Sequence, residues 1–166
     1  VSAYRNLLTG GTLFFLLASS VFADSTYVNG QIALLKPAGS TVGYGTVITV
    51  GIPVPERKNL FLEAELTATL VDPKKNSREL TYRGAGGYGV YQRLINEQLA
   101  IHAKAGMLYQ YSEKEGNDSQ SGAGIAFALG GTLHQNREMS YLLELSSVQG
   151  TLDLTTLSAG IRYRFR

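Results

Sequence analysis

The sequence predicts an all-β protein: an eight-stranded antiparallel up-and-down transmembrane β-barrel preceded by a cleavable signal peptide. Three observations predict it. An apolar N-terminal stretch ends in small residues, eight runs alternate with a period of two between turn residues, and one strand face combines glycine and alanine with charges of both signs.

The N-terminal element reads as an address. Arg5 stands in a short polar region, Leu7 to Leu17 form an apolar stretch, and Val21-Phe22-Ala23 supplies the small residues that a signal peptidase requires. Cleavage after Ala23 divides the chain into a signal peptide, 1–23, and a barrel domain, 24–166. Export through the general secretory route follows. The chain of 166 residues allows one domain. With no Cys it has neither a disulfide framework nor a thiolate metal site, and its net charge of +2 is spread too evenly for a nucleic-acid stripe.

After Asp24 the alternation gives strands at Tyr27–Lys36, Val42–Val54, Leu60–Val71, Glu79–Leu94, Gln98–Ser112, Ser121–His134, Glu138–Ser147 and Thr151–Phe165. Between them lie Pro37-Ala38-Gly39-Ser40, the Pro55 region through Asn59, Asp72-Pro73 through Arg78, Asn96-Glu97, Glu115-Gly116-Asn117-Asp118, Gln135-Asn136-Arg137 and Gln149-Gly150. Each break carries the residues that turns select.

Sorting by parity separates two faces. The apolar one holds, for example, Val42, Tyr44, Ile48 and Ile52, or Leu99, Ile101, Met107, Tyr109 and Tyr111. The other holds Glu63, Glu65, Arg83, Arg93, His102, Lys104, Glu144, Arg162 and Arg164, with Gly122, Gly124, Ala126, Ala128 and Gly130 in one strand. A soluble lipocalin-like barrel would turn the apolar face inward; a transmembrane barrel does the reverse. Glycine and alanine suit a narrow interior that large side chains from other strands must share, and mixed charges suit buried pairs. The expected network joins Glu63 and Glu65 with Arg83, and Glu144 with Arg162 or Lys104. Aromatic residues near strand ends, Tyr44, Tyr82, Tyr109, Tyr111 and Tyr141, are expected to form interfacial belts.

The stretches Gly84–Tyr111 (GAGGYGVYQRLINEQLAIHAKAGMLYQY) and Leu157–Phe165 (LSAGIRYRF) resemble the OmpA/OmpX-like small outer-membrane β-barrel superfamily, which includes opacity-type surface proteins. Ser158, Gly160, Tyr163 and Phe165 match the C-terminal insertion signal of that superfamily. The resemblance implies a Gram-negative outer-membrane location and, as partners, outer-membrane lipids and the barrel assembly machinery. It also implies periplasmic turns near Pro55, Asn96 and Gln135, and outside loops near Gly39, Lys75, Gly116 and Gln149.

For function, this reading expects a monomeric, non-enzymatic surface barrel with a role in envelope integrity or surface contact. Its lumen is expected to be filled, with Phe61 and Tyr91 helping to plug it. No cofactor, metal or catalytic residue is expected. A narrow pore, a soluble periplasmic lipocalin-like binder and a lipid-modifying barrel enzyme are the alternatives; the last needs a Ser/His/acid set that His102 and His134 do not visibly complete.

Overall fold

The structure, a computed structural model, describes residues 25–75, 78–114 and 118–165. The predicted signal peptide and its cleavage site at Ala23 lie outside the described residues.

The strands are β1 (Tyr27–Pro37), β2 (Gly43–Val54), β3 (Arg57–Val71), β4 (Lys74–Lys75), β5 (Arg78–Leu94), β6 (Leu99–Lys114), β7 (Asp118–His134), β8 (Met139–Gln149) and β9 (Leu154–Arg164). Eight of them form the wall. β4 is a two-residue ladder on Arg78 and Glu79 in the loop between β3 and β5. Neighbours in the wall pair antiparallel in chain order, β3 pairs directly with β5, and β9 returns to β1 from Tyr27↔Arg164 to Pro37↔Leu154. The sheet is therefore a closed eight-stranded antiparallel barrel, in which no strand of the wall is left with an unpaired edge.

One end carries tight turns together with Ser25 and Phe165; the other carries the longer loops. At the turn end, Asn96 and Asn136 build two equivalent turns. Asn96 Oδ1 accepts from the amides of Gln98 and Leu99 at 2.9 and 2.7 Å, and Asn136 Oδ1 accepts from Glu138 and Met139 at the same distances. These are Asx turns, the chemistry that selects Asn there. The third turn is Pro55-Glu56, with Glu56 in the left-handed region at φ 62°.

At the loop end the strands run further than the alternation suggested. Lys114 pairs with Asp118, so the break expected between Glu113 and Gln120 narrows to 115–117, which lie outside the described residues. In the opposite sense, the last strand begins at Leu154 and not at Thr151. Leu152 instead folds into the barrel mouth, where its carbonyl accepts from Gln110 Nε2 at 2.8 Å and its amide donates to Gln110 Oε1 at 3.2 Å. A buried apolar side chain and a satisfied backbone outweigh two more residues of ladder.

The outward face is apolar nearly throughout. Ile32 is 73% exposed, Leu129 67% and Leu143 58%, with Leu62, Met107 and Leu145 similar. The inward face divides along the axis. Toward the loops it is packed by Leu35, Val47, Leu80, Tyr82, Leu108, Val148, Leu152 and Leu154; toward the turns charged and polar groups are interleaved with Phe61, Val90 and Leu142. Two glycines make room for side chains that cross the lumen: a Cβ on Gly51 would strike the Tyr27 ring, and one on Gly130 would lie 2.5 Å from His102 Nε2.

Strand β5 corrects the parity expected for it. Tyr82, Tyr88, Val90 and Gln92 point into the lumen, while Arg83, Tyr91 and Arg93 point out. Tyr82, 1% exposed, is thus a lumen residue and not part of an aromatic belt, and Tyr91, 49% exposed, plugs nothing. The physical reason is volume. β7 contributes mainly Gly and Ala to the lumen, so the neighbouring strands must supply bulk, and the tyrosines of β5 supply more of it than its glycines could. The arginines, long and apolar-stemmed, tolerate an outward place near the strand ends because their guanidinium groups can reach a polar layer.

Candidate functional site

The turn-side half of the lumen holds a buried ionic cluster. β3 contributes Glu63, β6 His102 and Lys104, β8 Glu144, and β9 Arg162; all five are buried. Lys104 Nζ sits between two carboxylates, in contact with Glu63 Oε2 and 2.7 Å from Glu144 Oε2. Glu144 Oε2 also lies 2.8 Å from His102 Nε2. Arg162 Nη2 approaches Glu63 Oε1 at 3.7 Å, while its Nε donates to Asn29 Oδ1 and its Nη1 to Gln92 Oε1, both at 2.9 Å. Tyr27 donates its hydroxyl to Glu63 Oε1, and the guanidinium of Arg162 stacks 3.9 Å from the Tyr27 ring centroid. Charge-assisted hydrogen bonds and a cation–π contact of this kind are the compensation that buried ions require.

The network continues around the cluster. Asn29 Nδ2 donates to Thr49 Oγ1 at 2.5 Å, Ser158 Oγ to Gln31 Oε1 at 2.6 Å, and Thr67 Oγ1 to Glu65 Oε1 at 2.9 Å. Tyr88 Oη reaches Glu65 Oε1 at 3.5 Å and its ring lies 5.9 Å from Lys104 Nζ. A void beside Glu65 and Glu144 has about 10 Å³, near the smallest volume that holds one water. The interior is packed.

Arg83 and Arg93 take no part. At Glu63 the pairing expected with Arg83 is replaced by Lys104 and Arg162, and Glu65 meets Thr67 and Tyr88 instead, because the inverted face of β5 puts Arg83 and Arg93 on the outside. Arg164 faces inward at the turn end, below the cluster, and joins no ion pair with it. Tyr27, Asn29 and Gln92, which hold Glu63 and Arg162, were not among the residues expected to matter. The alternation Tyr27-Val28-Asn29-Gly30-Gln31 carried that signal, since a polar residue recurs at every second position.

Among the described residues neither histidine completes a Ser/His/acid set. His102 Nδ1 has no hydrogen-bond partner among the described residues, so no hydroxyl joins the His102–Glu144 pair. His134 Nδ1 meets Ser140 Oγ at 2.8 Å, and His134 forms no ion pair with a carboxylate among the described residues. Lys104 occupies the point between Glu63 and Glu144 where a cation would otherwise sit, and no group of His, Asp and Glu among the described residues could hold a metal.

The outward aromatic residues fall near both ends. Tyr44, Tyr109 and Tyr111 lie toward the loops; Tyr141 and Tyr163 lie toward the turns, with the Tyr163 and Phe165 rings packed edge to face at 5.0 Å. Ser158 faces the lumen two residues before Gly160.

No protein-family model matches the chain, and no curated protein matches it in sequence. Solved structures do match. Neisserial surface protein A superposes with a TM-score of 0.72 at 17% identity, covering 84% of this chain and 97% of that one. The fold is that of the small outer-membrane β-barrels. OprG of Pseudomonas aeruginosa gives 0.64 at 13% identity over 87% of this chain and 97% of its own. Ail, the attachment invasion locus protein of Yersinia pestis, gives 0.59 at 13% identity over 85% and 97%. At such identities what is shared is the fold, a closed antiparallel barrel.

Proposed function

We propose that this chain is an integral outer-membrane barrel with a filled lumen, without enzymatic activity, whose role is envelope integrity or surface contact. The carrying observation is the outward face, an apolar band bounded on β5 by Arg83 and Arg93. They stand on the same face, 93 − 83 = 10 residues apart, which is about 33 Å along a strand. At a tilt of roughly 40° that spans about 25 Å along the barrel axis, the height of the lipid-facing band of such barrels. Between them β5 presents Ala85, Gly87, Gly89 and Tyr91 to the outside. A band of this size exposed to water would be an aggregation hazard, whereas in lipid it needs no cover.

The aromatic residues at both ends suit the two headgroup layers. The apolar stretch ahead of Ala23 suits secretory export, and the Ser158–Phe165 strand suits recognition by the assembly machinery. The packed interior disfavours a pore. The test is fractionation: the protein should stay with outer membranes until detergent releases it, and the unheated and heated forms should migrate differently on gels. Recovery from the periplasm in detergent-free buffer would overturn the proposal.

A further inference from the structure

The turn-end mouth of the barrel contains a second polar feature, separate from the ionic cluster. A cup of about 760 Å³ opens there, lined by Arg164 from β9, His134 from β7, and Arg137 and Glu97 from the turns. Arg164 points inward along the same face as Arg162, but its electrostatic situation differs. Arg162 donates through Nε and Nη1 to Asn29 and Gln92 and has the Glu63 carboxylate 3.7 Å from its Nη2, whereas the buried Nε of Arg164 has no hydrogen-bond partner and its guanidinium no carboxylate partner among the described residues. No carboxylate of the described residues pairs with Arg164 or Arg137. Among the described residues Glu97 is the one acid lining the cup, and Glu138, which accepts the Arg164 amide through its backbone carbonyl at 2.8 Å, is exposed in the turn. The Ser140 hydroxyl at 2.8 Å can occupy His134 Nδ1 as a donor, which leaves the proton on Nε2, free to donate to a ligand.

A buried guanidinium N–H without an acceptor is costly, and a water or anion is the usual way in which such a group is satisfied. Water alone would leave two arginines against the single carboxylate of Glu97, a net positive charge, in a concave space. We propose that this cup is an oxyanion site, centred on Arg164 and completed by His134 and Arg137, and that it takes a phosphate group. Donors that come from β9, β7 and a turn converge from different directions. A tetrahedral anion with several acceptor oxygens satisfies such a set better than a planar carboxylate, which one guanidinium fork can saturate. The site opens on the lumen axis, so it is defined by the barrel itself and does not depend on the surrounding lipid.

The test uses the full barrel domain folded in a phosphate-free alkyl glucoside, titrated with inorganic phosphate at constant ionic strength, with acetate as a parallel arm. The readout is the NMR shift of the Arg164 Nε–H and of the His134 ring. Phosphate should give a saturating shift. Arg164→Gln should weaken binding about tenfold or more, as expected when a charge-assisted hydrogen bond is lost. Arg137→Gln, at an exposed turn position that the fold does not need, should weaken it by a smaller factor, and the outward Arg93→Gln should leave it unchanged. Should Arg164→Gln fail to fold, Arg137→Gln carries the test. Shifts that stay linear in phosphate, binding that survives both the Arg164 and the Arg137 substitution, or acetate binding as tightly as phosphate would each overturn the proposal.

Discussion

Replacing Lys104 by Met removes the cation shared by Glu63 and Glu144 and keeps most of its volume. At an effective dielectric of about 20, a unit pair at the 2.7 Å between Lys104 Nζ and Glu144 Oε2 attracts by about 6 kcal/mol before desolvation is charged against it. Breaking a buried pair by deleting one partner typically costs about 3–5 kcal/mol, because the other charge stays buried. Here the survivors retain help. Glu144 keeps His102 at 2.8 Å, and Glu63 keeps the Tyr27 hydroxyl and Arg162 at 3.7 Å. The loss should therefore lie near the lower end, about 3 kcal/mol, or roughly two decades in the folding equilibrium. A urea titration of the barrel refolded in lipid vesicles, scored by the folded band on unheated gels, measures it. Adding Glu144→Gln to Lys104→Met should recover much of the loss, since one cation and one carboxylate are then gone and Glu63 still faces Arg162. A single variant within about 1 kcal/mol of the parent would refute the view that this cluster is a compensated buried network.

The outward band gives a second prediction in the same assay: Ala105→Arg on β6, in the middle of the band, should cost about 2–4 kcal/mol, whereas Arg83→Leu on β5, near its edge, should change stability by less than about 1 kcal/mol. Equal effects would contradict the lipid-facing assignment. At the Pro55-Glu56 turn, Glu56→Gly should stabilise by up to about 1 kcal/mol, because it relieves a non-glycine residue of φ 62° and gives back part of that gain as backbone entropy. The expected sign is an upward shift of the urea midpoint at unchanged slope.

Much of the architecture was legible because alternation is a local signal. Turn residues such as Asn96 and Asn136 mark strand ends by their own side-chain chemistry. Parity also sorts β6 and β7 cleanly, since Lys104 and His102 alternate with Ile101 and Ala103, and the Gly/Ala set alternates with Ile125, Phe127 and Leu129. In β5 both parities mix glycine, an aromatic and polar groups, so hydrophobicity does not choose between them. What decides there is how much volume the rest of the lumen leaves, a property of the whole barrel. The same limit applies to partners in the cluster. Parity places Glu63, Glu65 and Arg162 on one face, but which of them meet depends on height and angle around the axis, which follow from tilt and register. Leu152 illustrates a third limit: a residue that the alternation places in the last strand leaves the ladder because its backbone finds Gln110 across the mouth.

The seam where β9 returns to β1 has a consequence for how the molecule is made. Arg162 belongs to the last strand, yet its partners lie on β1, β3 and β5. Before the seam zips shut, Glu63 and Lys104 lack part of their surroundings, and the lumen stays open to water that can hydrate them. Expelling that water becomes favourable only once the last strand arrives with its guanidinium. Closure and drying are thus coupled, and an incomplete barrel is a hydrated one. Such a chain has little reason to pause as a sealed but unfinished cylinder: the final strand supplies the missing hydrogen bonds of the wall and the missing charge of the interior in the same step.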